Sequence, residues 1–233
     1  MYETVSDEVL RRIKEENAQV IKFGRASDQT IGEAKRIAAS QNLMLVHPFD
    51  HPIVWEGAST IMTEIYGQIN GEQPSLIVTC CGGGGLFCGI MAGLERLNWR
   101  STGVLVMETC GANSFNAMTE NGFVPISVVC NSVAKTLTSV VVCQQAADYC
   151  RDGRFTVFSR LVTDLQAIDA VIMFADHQRV LIEASCATVL SALYLGMVRE
   201  ILQENPELPS GPVVLIVCGG NDINTDLIVK WKK

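Results

Sequence analysis

The hydrophobic pattern divides the chain into buried strands and amphipathic helices. Residues 76–78 and 213–217 are apolar without alternation, which predicts strands covered on both faces. After residue 85 the apolar positions recur at helical spacing, which predicts a helix that packs with one face. Those positions are Leu86, Ile90, Leu94 and Leu97. The pattern therefore predicts a layered fold in which helices cover a central sheet.

The first 46 residues show their own alternation of elements. Helices are predicted over residues 7–17, capped by Ser6, and 28–40, capped by Asp28, and strands over residues 19–23 and 43–46. This rhythm is typical of a parallel α/β layer. Because the chain opens on a helix rather than on a strand, we expect the sheet of this part to be small and to have an exposed edge.

The rest of the chain continues the α/β rhythm. Further strands are predicted at residues 103–107 and 155–158, and further helices at 140–150, 163–175 and 184–204. Thr163 and Gln166 have the form of a capping box, which marks the start of one of these helices. The predicted fold class is α/β, with an open, mostly parallel sheet and helices on both faces.

A run of glycines follows the first buried strand and precedes the helix at residue 86. The run is Gly82, Gly83, Gly84 and Gly85. Glycines bring bare N–H groups close to a ligand, and a helix N-terminus attracts anions, so the loop favours a phosphate. Its spacing fits neither the dinucleotide fingerprint nor the nucleotide-triphosphate loop. A flexible or tightly packed turn is the alternative interpretation.

Three predicted strands end in residues that suit a ligand site. One ends in the glycine run, one at Glu108, and one in the loop that begins at Cys218. Parallel strands place such ends at one edge of the sheet, which predicts a site for a small cofactor with a phosphate and a polar ring atom. Alternatively, Glu108 forms a salt bridge at the rim and Cys218 is a small core residue. For His47 and His51, a structural turn is favoured over a metal pair.

Composition narrows the class of protein. The chain has 233 residues, 48% of them hydrophobic and 18% charged, which predicts a globular protein with a substantial core. The net charge of −7 argues against nucleic acid or an anionic membrane as partner. The nine cysteines include no CxxC pair, so we expect reduced thiols and a cytoplasmic location. No apolar run reaches the roughly 18 residues that span a bilayer.

Several motifs, in order along the chain, resemble those of one enzyme family. They are Pro48-Phe49-Asp50, Trp55-Glu56-Gly57, Gly82 to Leu86, Met107-Glu108-Thr109, Ser132-Val133-Ala134-Lys135 and Cys218-Gly219-Gly220. Together they resemble the serine dehydratase branch of the fold-type II pyridoxal-phosphate enzymes, the L-serine/L-threonine ammonia-lyases. The resemblance covers essentially the whole chain. It implies a small substrate domain, of which residues 1–46 are a remnant, and a large cofactor domain over residues 47–233.

The resemblance also implies the site. Gly82, Gly83, Gly84, Gly85 and Leu86 would hold the phosphate of pyridoxal 5'-phosphate, and Cys218 would face the pyridine nitrogen. Glu108, with backbone carbonyls near Ala112 and Leu137, would bind a monovalent cation, usually potassium. The implied substrate is a small amino acid, serine or threonine, and the implied reaction is β-elimination to a keto acid and ammonia. A cytoplasmic homodimer that serves amino-acid metabolism and gluconeogenesis is implied as well.

One part of the family pattern is absent from this sequence. The segment of Ser-Phe-Lys-Ile-Arg-Gly type, whose lysine forms the Schiff base, is not found, nor is the Ser-Ala-Gly-Asn-type loop for the substrate carboxylate. Lys135 lies in a family motif whose lysine has another role, and Thr136 stands where a small residue is usual. We therefore predict no catalytic lysine and no activity of this chain alone. A fragment of an active dehydratase, a non-catalytic binder of pyridoxal phosphate or an anion, a dimerisation partner of a full-length dehydratase, and a Rossmann-like nucleotide binder remain as hypotheses.

Overall fold

The structure is a computed structural model that describes every residue except Tyr2, Thr4, Ser6, Ala26 and Lys233. The predicted cap Ser6 therefore lies outside the described residues. The chain divides into two compact units, Met1–Pro48 and Phe49–Lys233. Each is described separately below.

The first unit contains the two predicted helices, α1 (Asp7–Glu15) and α2 (Ser27–Gln41). The two predicted strands are wrong, because residues 19–23 and 43–46 are irregular segments outside any strand. A strand exists only where a neighbour completes its hydrogen-bond ladder. Here the described residues make only scattered bonds, from Phe23 N–H to the Met1 carbonyl and from Glu3 N–H to the Gly24 carbonyl. Their apolar side chains are consequently open, with Met44 90% and Val46 74% exposed.

The second unit is the α/β layer. Its strands are β1 (Leu76–Cys80), β2 (Gly103–Thr109), β3 (Val157–Val162) and β4 (Val213–Leu215). Its helices are α3 (Pro52–Gln68), α4 (Gly85–Arg96), α5 (Ser114–Glu120), α6 (Gln144–Arg151), α7 (Asp164–Gln178), α8 (Ala184–Tyr194), α9 (Met197–Glu204) and α10 (Thr225–Trp231), with a 3₁₀ turn at Lys135–Leu137.

The four strands form one parallel sheet in the order β3-β2-β1-β4. Successive side chains of a strand point to opposite faces, and both faces here are apolar. Ile77 and Val104 belong to the cluster that includes α4 and α6, whereas Val78 and Leu105 belong to the cluster that includes α7 and α8. The predicted α/β fold, a parallel sheet with helices on both faces, is confirmed.

Several element boundaries differ from the sequence predictions. The predicted helix 184–204 is two helices, because Gly196 adopts a left-handed conformation (φ 80°) between α8 and α9. Helix α6 begins later than predicted, β3 is displaced toward its C-terminus, β4 is shorter, and α10 was not predicted. Among the described residues, no single helix meets the length and hydropathy criteria of a membrane span; only the bent pair α8 and α9 does so, and only jointly.

Candidate functional site

The glycine run lies between β1 and α4 at the carboxyl edge of the sheet, and protein atoms pack closely against it. A Cβ at Gly82 would lie 2.8 Å from the carbonyl oxygen of Thr136. A Cβ at Gly83 would lie 2.3 Å from the ring of Phe49, and one at Gly84, 2.7 Å from Cys143 Sγ. Close packing, the alternative interpretation of the sequence, is therefore real, and it explains why side chains are excluded here.

The backbone of the same loop also offers hydrogen-bond donors. Gly84 is the N-cap of α4, and no side chain caps this helix. The first intrahelical bond runs from Cys88 N–H to the carbonyl of Gly84. Within the described chain, the preceding N–H groups, those of residues 84–87, donate no hydrogen bond. A helix start with unpaired donors binds anions, so the loop suits a phosphate as well as close packing.

Cys218 follows β4, the strand beside β1, and thus lies at the same edge as the glycine run. Its sulfur is 3.6 Å from Cys80 Sγ, and its N–H donates to Cys186 Sγ at 3.1 Å. A side-chain hydrogen bond with Cys186, distinct from this backbone bond, lowers the pKa of the Cys218 thiol. The contact with Cys80 and the loss of water outweigh it and raise this pKa to about 12. Cys218 is therefore a neutral S–H near neutral pH, a weak donor rather than a thiolate.

Glu108 lies fully buried near the end of β2. Its two oxygens accept hydrogen bonds from the N–H groups of Phe115 (2.9 Å) and Asn116 (2.7 Å), so the carboxylate holds the start of α5. Burial raises the pKa of Glu108 to about 8, although these two bonds lower it. A buried carboxylate with this desolvation cost is a suitable ligand for a cation.

The other two residues of the predicted cation site lie near the same sheet edge. Ala112 follows β2 and forms an isolated bridge with Thr109, and Leu137 ends the 3₁₀ turn. Both side chains belong to one apolar cluster. The Leu137 carbonyl accepts the N–H of Ser139 and keeps a second lone pair. Among the described residues, no group of three or more His, Cys, Asp or Glu side chains has a metal-binding arrangement.

Two carboxylates that the sequence reading did not select hold loops of this edge. Asp164 accepts from Ser132 Oγ at 2.6 Å and from Val133 N at 3.0 Å, and so fixes the start of the loop before the 3₁₀ turn. Glu183 accepts from Thr136 Oγ1 at 2.5 Å. Asp164 is adjacent to the predicted capping box, but nothing in the sequence indicated its long-range partners.

The remaining candidates have surface or structural positions. Lys135 is an exposed residue of the 3₁₀ turn, and its charge lowers the pKa of Asp222 while burial and Glu183 raise it more strongly. His51 is the N-cap of α3, where its Nδ1 accepts the N–H of Ile53 at 3.2 Å. This bond matches the structural interpretation of that histidine.

A parallel sheet whose carboxyl edge carries an uncapped helix start is the arrangement of α/β proteins that hold small phosphorylated ligands. Comparison with known proteins identifies the particular family. The sequence model of the pyridoxal-phosphate dependent enzyme family matches residues 1–219, and the chain belongs to that family.

Two of the chain's relatives are named as dehydratases. The L-serine dehydratase/L-threonine deaminase of Bos taurus is 36% identical over 226 residues, 96% of this chain and 68% of that protein. The L-serine dehydratase of Dictyostelium discoideum is 37% identical over 225 residues, 94% of this chain and 63% of that protein. The chain thus spans about two thirds of the length of these relatives.

Solved structures agree with the fold. A fungal L-serine ammonia-lyase from Rhizomucor miehei superposes with a TM-score of 0.88 at 30% identity, covering 99% of this chain and 72% of that one. Maize serine racemase superposes with a TM-score of 0.84 at 21% identity, which supports the fold alone. The fold is that of the fold-type II pyridoxal-phosphate enzymes, as the resemblance implied.

The residues at the sheet edge fit the family cofactor. Unpaired N–H groups at residues 84–87 suit its phosphate, and the neutral thiol of Cys218 suits an unprotonated ring nitrogen. The two lie after neighbouring strands, β1 and β4, as a single small ligand requires.

Proposed function

We propose that this chain binds pyridoxal phosphate at the carboxyl edge of its sheet. The observation that carries the proposal is the uncapped N-terminus of α4, whose donors lie at the same edge as Cys218. The N–H groups of residues 84–87 would hold the phosphate, and Cys218 would donate its S–H to the ring nitrogen. Bound pyridoxal phosphate supplies an electron sink for a carbanion at the α-carbon of an amino acid.

The reaction served by this site would be the β-elimination of water from L-serine or L-threonine, with release of ammonia and a keto acid. Support comes from the relatives named as L-serine dehydratases and L-threonine deaminases. Glu108, with the carbonyls of Ala112 and Leu137, would bind potassium and compensate the cost of the buried carboxylate. A cytoplasmic homodimer that feeds gluconeogenesis belongs to the same proposal.

We expect this chain by itself to be inactive in that reaction. Among the described residues, Lys135 is the lysine at this edge. It is exposed in the 3₁₀ turn, so its amine is not positioned as a base. Without a positioned amine, proton transfer at the α-carbon loses a general-base contribution of about 10²–10⁴-fold. The alternative is a non-catalytic binder of pyridoxal phosphate or an anion, or a dimerisation partner of a full-length dehydratase.

Titration of the purified chain with pyridoxal phosphate tests the binding proposal. We expect a change in cofactor absorbance and a rise in the thermal unfolding midpoint. Cys218→Ser should retain binding but alter the absorbance of the ring, whereas Cys110→Ser, at an exposed position, is the matched control. No spectral change together with no thermal shift would exclude cofactor binding.

Borohydride reduction after incubation with pyridoxal phosphate tests for a covalent amine. We expect no specific adduct in the intact mass, and no pyruvate from L-serine. A single adduct that peptide mapping assigns to Lys135, accompanied by pyruvate formation, would contradict the prediction of an inactive chain.

A further inference from the structure

A hydrogen bond between two side chains connects the loops at the sheet edge. Thr136, an exposed residue of the 3₁₀ turn, donates its hydroxyl to Glu183 Oε1 at 2.5 Å. Glu183 itself is buried. The distance lies in the range of charge-assisted bonds from a hydroxyl to a carboxylate, which are stronger than neutral ones.

Glu183 holds the loop that contains Cys218. Its N–H donates to the carbonyl of Gly219 at 3.2 Å, and its Oε2 accepts the N–H of Asp222 at 3.3 Å. A Cβ at Gly219 would lie 3.1 Å from Glu183 Cδ, so the loop passes directly over the carboxylate. Glu183 is also the N-cap of α8, yet its side chain makes no capping bond there. Its carboxylate is committed to the two loops instead.

Thr136 holds the other side of the site. Its carbonyl oxygen lies 2.8 Å from where a Cβ of Gly82 would stand, so the 3₁₀ turn packs on the start of the glycine run. The Thr136–Glu183 bond therefore joins, through one pair of side chains, the loop proposed for the phosphate and the loop proposed for the ring.

We propose that Thr136 and Glu183 are a positioning pair, which fixes the distance between the phosphate end and the ring end of the cofactor site. This inference rests on the proposed function only for the identity of the ligand. Neither residue needs to contact the cofactor. The pair acts by limiting the motion of residues 218–222 relative to the 3₁₀ turn.

Hydrogen exchange of the chain without cofactor tests the link itself. Thr136→Val removes the hydroxyl and Thr136→Ser keeps it, while Thr60→Val removes an exposed hydroxyl whose bond is local, to Gly57. In Thr136→Val we expect exchange in peptides covering residues 218–224 to accelerate about two- to tenfold, the effect of losing one hydrogen bond. Thr136→Ser and Thr60→Val should exchange as the wild type does. Equal exchange in Thr136→Val and wild type would overturn the link.

Equilibrium dialysis with pyridoxal phosphate tests the positioning role. The affinity for pyridoxal phosphate should fall about two- to tenfold in Thr136→Val and in Glu183→Gln. Thr136→Ser, which keeps the hydroxyl, should bind as the wild type does. Faster exchange with unchanged affinity in Thr136→Val would overturn positioning of the cofactor. A wild-type chain that binds no pyridoxal phosphate would overturn the proposed function and the cofactor role together, and the exchange comparison would still decide the link.

Discussion

Buried and half-buried carboxylates hold the loops of the sheet edge. Glu108 binds two N–H groups at the start of α5, Asp164 binds the loop at Ser132 and Val133, and Glu183 binds Thr136 and the loop after Cys218. Such groups are stable in a core only when their hydrogen bonds are made. In the described chain, no buried side-chain oxygen or nitrogen lacks a partner. Each carboxylate therefore anchors a loop or a helix start, and we expect its removal to lower the free energy of unfolding.

Replacement of Glu108 by alanine tests the first anchor. The change leaves the N–H groups of Phe115 and Asn116 without acceptors, so we expect a loss of about 2–4 kcal/mol in the free energy of unfolding. Urea unfolding followed by circular dichroism measures it. Glu120 is an exposed residue at the end of α5, and Glu120→Ala should change stability little. Equal effects of the two substitutions would show that Glu108 does not anchor α5.

The reactivity of Cys218 tests the electrostatics of the thiol cluster. Cys218 and Cys110 are both exposed. Because the pKa of Cys218 is raised to about 12, we expect iodoacetamide to modify it more slowly than Cys110 at about pH 8. Cys80→Ala removes a contact that raises the pKa and should accelerate the reaction. Cys186→Ala removes the bond that lowers the pKa and should slow it further. Peptide mass spectrometry measures both rates, and opposite signs would refute this account of the thiol.

Particular residues at the helix ends determine where helices of the second unit begin and end. Thr163 and Gln166 form the capping box that the sequence predicted for α7. The division between α8 and α9 depends instead on Gly196, whose positive φ a non-glycine residue adopts only with strain. The two helices meet at an angle of 57° that a continuous helix would not have.

Alanine at Gly196 should destabilise the second unit by about 1–2 kcal/mol through backbone strain alone, because a Cβ there meets no atom within 4 Å. Gly57 provides a control of opposite sign. It lies inside α3, also with open space for a Cβ, so Gly57→Ala should stabilise by about 0.5–1 kcal/mol. Thermal and urea unfolding of both variants measure this. A stabilising Gly196→Ala would mean that the break between α8 and α9 is not glycine-dependent.

At the scale of the whole molecule, the two units differ in how well they bury their apolar residues. The second unit encloses a parallel sheet between two apolar clusters. The first unit leaves apolar residues of its irregular segments exposed to solvent, among them Phe23, Leu43 and Met44. Few buried contacts give low local stability, so local opening should be most frequent in the first unit.

Limited proteolysis tests this difference. We expect early cleavage within Met1–Pro48 and persistence of a fragment close to Phe49–Lys233, identified by mass spectrometry. A time course with two proteases of different specificity separates the effect of local opening from the distribution of cleavable residues. Protection of the first unit equal to that of the second would contradict the expectation.

The sequence determined by itself the class of fold and the position of the glycine loop before α4, because apolar runs without alternation and a glycine run before a helix are local patterns with direct physical meaning. It failed for residues 19–23 and 43–46, because strand formation depends on a partner that a local pattern does not contain. Only the tertiary structure decided that Thr136, Asp164 and Glu183 hold loops at the carboxyl edge of the sheet. Their hydrogen-bond partners lie 31 to 47 residues away in the chain. Long-range hydrogen bonds follow from the packing of the sheet and helices, and no spacing along the sequence encodes them.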